Sequence, residues 1–574
     1  MILCTNAEYH ESPCRKQKHQ AKKQYKKNLK SAGLGARPQR GLGQSPKVLR
    51  GVGQSPTVLG GNGLLSKIVS AAILGVDGYL VYVEVDINNG LPSFDIVGLP
   101  DSAVKESRDR VRTAVRNSGF LFPVKRITVN LAPADTKKVG PSFDLPIAVG
   151  ILVCVGILEQ KMVDNICFVG ELSLDGSVRP IRGVLSMIQA AKMNGISVCC
   201  VASQNVAEAC LVEGMTVLSA DCLQNIIDHF LLKKSIVAEK TAIYENEPKY
   251  NVDFEDVVGQ QFVKRALEVA AAGHHNVLII GPPGSGKTML AHRIPTIMPA
   301  LTDEESLEIT KIYSIVGLLN DKEVLIRERP FRAPHHTASS AALSGGGRMP
   351  TPGEISLAHN GILFLDELPE FQKRSLEILR QPLEDGKVTI SRVGGTLTYP
   401  CKFMLLAAMN PCPCGYFGSD NPARKCNCNQ HEIEKYLKKI SGPMLDRMDI
   451  QIEAAGVKYE EFGKMRGESS KDIRARVMQA HRIQQQRFGR MDESGKKMRN
   501  AQMTAPMIDI YCKLGKAESE LMQNAFNRLG LSSRAYHKIL KLARTIADLE
   551  MSSNIEIVHL TEALSYRSLD RKYW

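Results

Sequence analysis

The 574-residue sequence predicts an α/β protein: a parallel-sheet core, a separate mixed α/β domain before it and a helical domain after it. Three observations predict this. The apolar run Asn276-Val-Leu-Ile-Ile280 leads directly into the Gly-rich loop Gly281-Pro-Pro-Gly-Ser-Gly-Lys-Thr288 and then a helix start, Met289-Leu-Ala-His-Arg293. Two more short apolar runs, Gly361-Ile-Leu-Phe-Leu365 and Phe403-Met-Leu-Leu-Ala-Ala-Met409, end in polar residues, the pattern of strands buried on both faces. Past residue 470 apolar residues recur at helical spacing and strand signals stop.

Taken in order, residues 1–63 differ from everything that follows. Within the first 60 there are twelve Lys and Arg against Glu8 and Glu11, so +10 of the chain's net +14 sits there. A short repeat, Gly43-Gln-Ser-Pro-Lys-Val-Leu49 and Gly53-Gln-Ser-Pro-Thr-Val-Leu59, adds Gly, Ser and Pro. Such a composition cannot bury a core, so a basic disordered extension is expected. A solvated extension, a nucleic-acid-binding arm and a transit peptide are its readings.

Residues 64–232 form the first folded domain. Tyr79–Ile87 alternates as a strand, 101–118 carries Ala103, Val104, Ser107, Val111 and Val115 on one helical face, and Arg126–Leu131 is a second strand. Leu145–Leu158 is apolar but contains Pro146, Gly150 and Gly156 and is shorter than the roughly 20 residues of a membrane span, so it is read as a core helix. Residues 233–253 lack periodicity and form a linker. Residues 254–456 make the parallel-sheet core, and 457–574 the helical domain. The fourteen cysteines are scattered through a long chain, which favours a reducing, cytoplasmic compartment over a disulfide scaffold.

Strand, Gly-rich loop and helix in that sequence are the context of a phosphate-binding P-loop. In the loop of Gly281, Pro282, Pro283, Gly284, Ser285 and Gly286, the glycines would let backbone N–H groups face the phosphates. Lys287 would bind the β- and γ-phosphates of ATP, and Thr288 would ligate Mg²⁺. Asp366, at the end of the second apolar run, would hold the same ion, and Glu367 would activate the attacking water. Asn410 ends the third run, where a neutral amide can orient that water; a plain loop asparagine is the other reading.

Beyond these motifs the chain resembles a family along 64–574. Gly90-Leu-Pro-Ser-Phe-Asp-Ile-Val-Gly-Leu-Pro-Asp101, Asn130-Leu-Ala-Pro-Ala-Asp135, Gly140-Pro-Ser-Phe-Asp-Leu-Pro146, Phe331-Arg-Ala-Pro-His-His-Thr337, Asn410-Pro-Cys-Pro-Cys-Gly415 and Ser441-Gly-Pro-Met-Leu-Asp-Arg447 are similar to the ComM/YifB type of magnesium-chelatase-like AAA+ ATPases. The resemblance implies an AAA+ core with a helical lid, a hexameric ring and ATP at subunit interfaces. It makes Arg447 an arginine finger reaching the neighbouring subunit and Arg534 the lid's sensor in the subunit's own site; a surface ion pair is the alternative for each. It implies a DNA motor, plausibly a branch-migration helicase in recombination or natural transformation. A magnesium-chelatase motor subunit acting on a porphyrin and a non-catalytic DNA-binding scaffold are its rivals.

The segment 386–400 alternates, turns at Gly394-Gly395 and alternates again, a β-hairpin; in similar proteins such a hairpin contacts nucleic acid, here through Lys387 and Arg392. The insert 303–352, with Arg327, Arg329, Arg332, His335, His336 and Arg348, is a second candidate DNA-facing element. The first domain resembles the Lon-protease and ribosomal-S5 type of α/β fold, with Ser142 at the nucleophile position. Leu185 stands where the lysine base would be, so no peptidase activity is expected. Finally, Cys412-Pro-Cys414 and Cys426-Asn-Cys428 fit tetrahedral zinc, a disulfide or reduced thiols.

Overall fold

A computed structural model describes residues 64–239, 250–319, 324–347, 350–392, 395–418, 425–455, 467–489 and 498–567. The basic extension 1–63, Arg348, Gly394 and residues 240–249 of the linker fall outside them. The chain divides near residue 243 into two compact units.

The N-terminal unit is built on an eight-stranded mixed sheet. Its first strand, Leu64–Leu74, pairs antiparallel with Asp77–Asn88 over its whole length. On the second strand Val81, Val83, Val85 and Ile87 point into the core, the alternation expected of a sheet covered on one face. The helix Ser102–Asn117 is capped by Asp101, whose carboxylate accepts from the Val104 amide. The apolar run becomes the helix Asp144–Cys154, buried on nearly every side. Its Gly150 lies so close to the sheet that a Cβ would come within 2.7 Å of Val85 Cγ2. The helix ends at Cys154, just before Gly156 at φ +74°, so Leu158 of the apolar stretch lies beyond it. Arg110 donates to both oxygens of buried Asp144, at 2.7 and 3.0 Å, and so ties the two helices together. Sequence reading overlooked the strand Leu64–Leu74, because its interior mixes Ser, Lys and Ala with the apolar positions.

In the second unit five strands lie parallel in the order Phe331–Arg332, Ile362–Leu365, Met404–Met409, Val277–Ile280, Ile450–Glu453. The first of these strands in the chain thus lies between the fourth and the fifth. Val277, Ile279, Ile362, Phe364, Leu406 and Ile452 face one core, and the intervening Leu278, Ile280, Leu363, Leu365 and Leu405 are buried as well. Burial on both faces explains why these strands read as unbroken apolar runs. The C-terminal helices Ser470–Phe488, Ser533–Leu549 and Ile557–Ser565 contribute Val477, Ile539, Leu542, Ile546 and Leu560 to that same core. Among the described residues no helix is long and apolar enough to cross a membrane.

All five strands run the same way, so the loops after Ile280, Leu365 and Met409 emerge at one edge of the sheet. Ile280 pairs with Met409 and Leu365 with Ala407. Such an edge, where the strand order reverses, is where open parallel sheets bind ligands.

Candidate nucleotide site and cysteine centre

The P-loop leaves the sheet at Gly281, and its backbone amide donates to the Met409 carbonyl at 3.1 Å. Gly286 adopts φ +82°, a left-handed conformation that disfavours a side chain, and starts the helix Lys287–Ala291. That helix is shorter than the sequence suggests. Pro295 offers no N–H to the Ala291 carbonyl and its ring conflicts with it, so the chain turns at His292 and restarts as Ile294–Ile297.

Lys287 is buried, and its ammonium donates to the carbonyls of Gly281 (2.8 Å) and Pro282 (2.9 Å) and to Asn410 Oδ1 (3.2 Å). Burial pushes its pKa down; the charges of Asp366 and Glu367 push it back up. Thr288 Oγ1 donates to Asp366 Oδ2 at 2.6 Å, and the other Asp366 oxygen accepts the Glu367 amide at 2.9 Å. Five residues drawn from three strand ends therefore meet in one place. The Thr288 hydroxyl and Asp366 carboxylate are hard oxygen donors, the type Mg²⁺ selects.

Glu367 occupies the left-handed region at φ +52°, uncommon for a side chain of its size. Its carboxylate reaches His336 Nδ1 at 3.1 Å. His336 in turn lies edge-on to Phe371 and against the His335 ring, with centroids 6.5 and 4.1 Å apart. Sequence reading placed His336 on a candidate DNA-facing insert; the structure turns it toward the Glu367 carboxylate. The Phe331-Arg-Ala-Pro-His-His-Thr337 motif was the available signal.

Other cations of that insert are also differently employed. Arg329 is buried and donates to the Pro299 and Asn360 carbonyls at 2.7 and 2.6 Å and to Glu305 at 3.2 Å. Arg332 forms a two-pronged pair with Glu354 at 2.7 and 2.8 Å, and Arg327 pairs with Asp303. Interior carbonyls and local carboxylates consume these charges, which corrects their reading as a free basic surface.

Arg447 and Arg534 converge on one carboxylate. Arg447 pairs with Glu384; Arg534 lies 3.9 Å from the same Glu384 oxygen and 3.9 Å from Asp446. Arg534 is largely exposed, and the buried Nε of Arg447 has no partner among the described residues. Neither arginine is hydrogen-bonded to a P-loop residue among the described contacts. Glu384 carried no sequence signal, being one acid on a polar helix, Arg380–Asp385.

The cysteine pairs do come together. Cys412, Cys414, Cys426 and Cys428 place their sulfurs within 4.8 Å of one another, and none is in a disulfide. The hairpin is also present, as Lys387–Arg392 and Gly395–Pro400 in antiparallel register. One face is buried through Val388, Ile390 and Tyr399. The other carries hydroxyls in pairs, Thr389 with Thr398 at 3.2 Å and Ser391 with Thr396 at 3.0 Å.

Comparison with known proteins agrees with this architecture. Family models described as magnesium chelatase subunit ChlI match residues 253–462 and, for its C-terminal part, 467–567. A model described as subunit ChlI of Mg-chelatase matches 83–205. The competence protein ComM of Haemophilus influenzae is 44% identical over 517 residues, which cover 88% of this chain and 98% of the relative. The chain belongs to the ComM/YifB family of magnesium-chelatase-like AAA+ ATPases. The uncharacterized protein YifB of Escherichia coli is 43% identical with the same coverage. The magnesium-chelatase 67 kDa subunit of Chlorobaculum parvum is 29% identical, over 28% of this chain and 23% of the relative. Within this family the strand-end cluster of Lys287, Thr288, Asp366, Glu367 and Asn410 is the candidate ATPase site.

Proposed function

We propose that this protein is an ATP-driven motor that assembles into a ring and acts on DNA. The observation that carries the reading is a division of the hydrolytic set. Lys287, Thr288, Asp366, Glu367 and Asn410 meet at one sheet edge, whereas Arg447 and Arg534 gather on Glu384.

A site that must stabilise the charge of phosphoryl transfer needs a cation beyond the P-loop lysine. With both arginines held on Glu384, a second copy of the chain is the natural source of that cation. We therefore assign Arg447 and Arg534 together to the neighbour's site, in a ring that we take to be a hexamer. Within one chain Lys287 binds the phosphates, Thr288 and Asp366 would hold Mg²⁺, and Glu367 accepts the proton of the attacking water while Asn410 orients it. Magnesium, when bound, neutralises phosphate charge.

For DNA, the support is the hairpin. Lys387 lies on the exposed face with the paired hydroxyls, and Arg392 is exposed at the end of its strand; such groups can donate to phosphate. A role in natural transformation is supported by the competence relative, and the further reading as a branch-migration helicase in recombination rests on the family resemblance. The magnesium-chelatase reading is supported by the family models, but the chelatase subunit aligns over only 28% of this chain. In the N-terminal domain Leu185, buried where a Lon-type lysine would stand, supports a non-peptidase role. Free cysteines support a reducing, cytoplasmic location, and the cysteine centre is read as a zinc site.

The test is ATP hydrolysis with and without branched or single-stranded DNA, beside a Lys387→Glu/Arg392→Glu variant. Stimulation by DNA that the variant loses, with salt-sensitive binding, is the expected result. ATPase indifferent to DNA, together with no DNA binding at low salt, would leave the motor-on-DNA reading without support.

A further inference from the structure

We infer that the four-cysteine loop is a zinc-locked strut that holds Asn410 in place, so that metal occupancy governs the turnover of ATP. The inference rests on the ATPase reading above and extends it to a site outside the nucleotide cluster.

The sulfur geometry suits a metal. Cys412 lies 3.3 Å from Cys414 and 3.7 Å from Cys426, and Cys414 lies 3.6 Å from Cys426. A tetrahedron with Zn–S bonds of about 2.3 Å has edges of about 3.8 Å. The Phe417 amide donates to Cys412 Sγ at 3.3 Å, an outer contact of the kind that orients metal-bound thiolates. Soft sulfur donors in this number select zinc over magnesium or calcium.

Three connections run from this cluster to the ATP site. Cys412 follows Asn410 by two residues, and Asn410 Oδ1 accepts from Lys287 Nζ. Gly415, at φ +87°, lies directly on the P-loop: a Cβ there would meet Pro283 Cδ at 2.6 Å and Asn410 Cγ at 3.8 Å. The second cysteine pair leads into the helix Gln430–Leu437, capped reciprocally by Asn429 and Glu432. On that helix the side chain of buried Tyr436 lies close to the Asn410 backbone. The segment that leaves Asn410 thus comes back beside it, and the sulfur cluster brings the two arms of the excursion together. A bound ion would supply the cross-link and remove the conformational freedom of the loop. Asn410 is then a positioning residue whose placement depends on the cysteines.

The experiment uses the full chain, prepared without chelator. Zinc is measured by elemental analysis, nucleotide affinity with a fluorescent ATP analogue, and kcat with and without metal stripping and readdition. About one zinc per chain is expected. Cys426→Ser/Cys428→Ser should lose it and lower kcat by about tenfold or more while changing nucleotide affinity far less. Asn410→Ala should lower kcat similarly, and adding it to the cysteine variant should lower it no further. Where the cysteine variant fails to fold, reversible loss of kcat on stripping wild-type zinc gives the same reading. A metal-free wild type, an unchanged kcat after zinc loss, or multiplicative losses in the combined variant would overturn the inference. A wild type whose ATPase is absent or insensitive to Lys287→Ala overturns the ATPase reading as well, which separates the two failures.

Discussion

His336 Nδ1 lies 3.1 Å from Glu367 Oε2, and Glu367 itself adopts φ +52°. A side chain in the left-handed region costs about 1 kcal/mol or more, and such conformations persist only where surrounding contacts hold them. The glutamate is thereby engaged with an imidazole. His336→Ala is expected to raise DNA-independent ATP hydrolysis a few-fold and to shrink the stimulation by DNA. Steady-state rates with and without DNA check this, and a fall in both rates would mean that His336 aligns Glu367 for catalysis.

Lys287 and Glu367 should separate binding from chemistry. Lys287 is the buried cation of the phosphate cradle, so Lys287→Ala should abolish nucleotide binding as well as turnover. Glu367→Gln keeps the shape and removes the base, so it should bind ATP normally and lose about 10²–10⁴-fold in kcat. Equilibrium binding beside single-turnover hydrolysis distinguishes the two variants. Weak ATP binding by Glu367→Gln would count against its role as base.

Because Arg447 and Arg534 share Glu384, both should be lent to the same neighbour. Mixing Arg447→Ala with Glu367→Gln subunits should restore part of the activity, since the second variant still donates an intact finger. Mixing Arg447→Ala with Arg534→Ala should restore none, as every interface then lacks one arginine. Recovery in the second mixture would place Arg534 in its own subunit's site instead.

Asp449 joins the sheet to the C-terminal helices. Its carboxylate meets Lys538 at 3.0 Å and accepts the Asn276 amide at 3.2 Å. Burial raises its pKa, but the Lys538 ammonium and His275 outweigh burial and hold it well below the usual carboxylate range. A depressed carboxylate contributes stability above its unfolded pKa of about 3.9 and loses it as pH falls toward the folded value. Asp449→Asn should therefore destabilise this unit by about 3 kcal/mol near neutral pH, with the penalty shrinking below about pH 4. Denaturant unfolding at pH 7 and in acid measures both. A penalty independent of pH would assign the effect to packing.

Much of the site could be read from the chain because its parts are contiguous with the strands that carry them. A parallel strand buried on both faces is an apolar run, and the residue that follows it is delivered to the ligand edge. Lys287, Thr288, Asp366, Glu367 and Asn410 all announce themselves in this way, as do the paired cysteines by their spacing. Polar residues within a strand hide it, which is why Leu64–Leu74 escaped notice. A basic residue type does not reveal whether it faces water, so Arg329 and Arg332 were misread until Glu305, Glu354 and the interior carbonyls came into view.

The sequence by itself determined which groups are available for phosphate, magnesium and a soft metal, because local periodicity and spacing encode strands, loops and candidate chelating pairs. Only the tertiary structure decided who meets whom. The first strand of the parallel sheet inserts between the fourth and fifth. That crossover brings Asn410 to Lys287, while the surrounding packing turns His336 onto Glu367 and gathers two arginines on Glu384. Those pairings span tens of residues, and no local period records them.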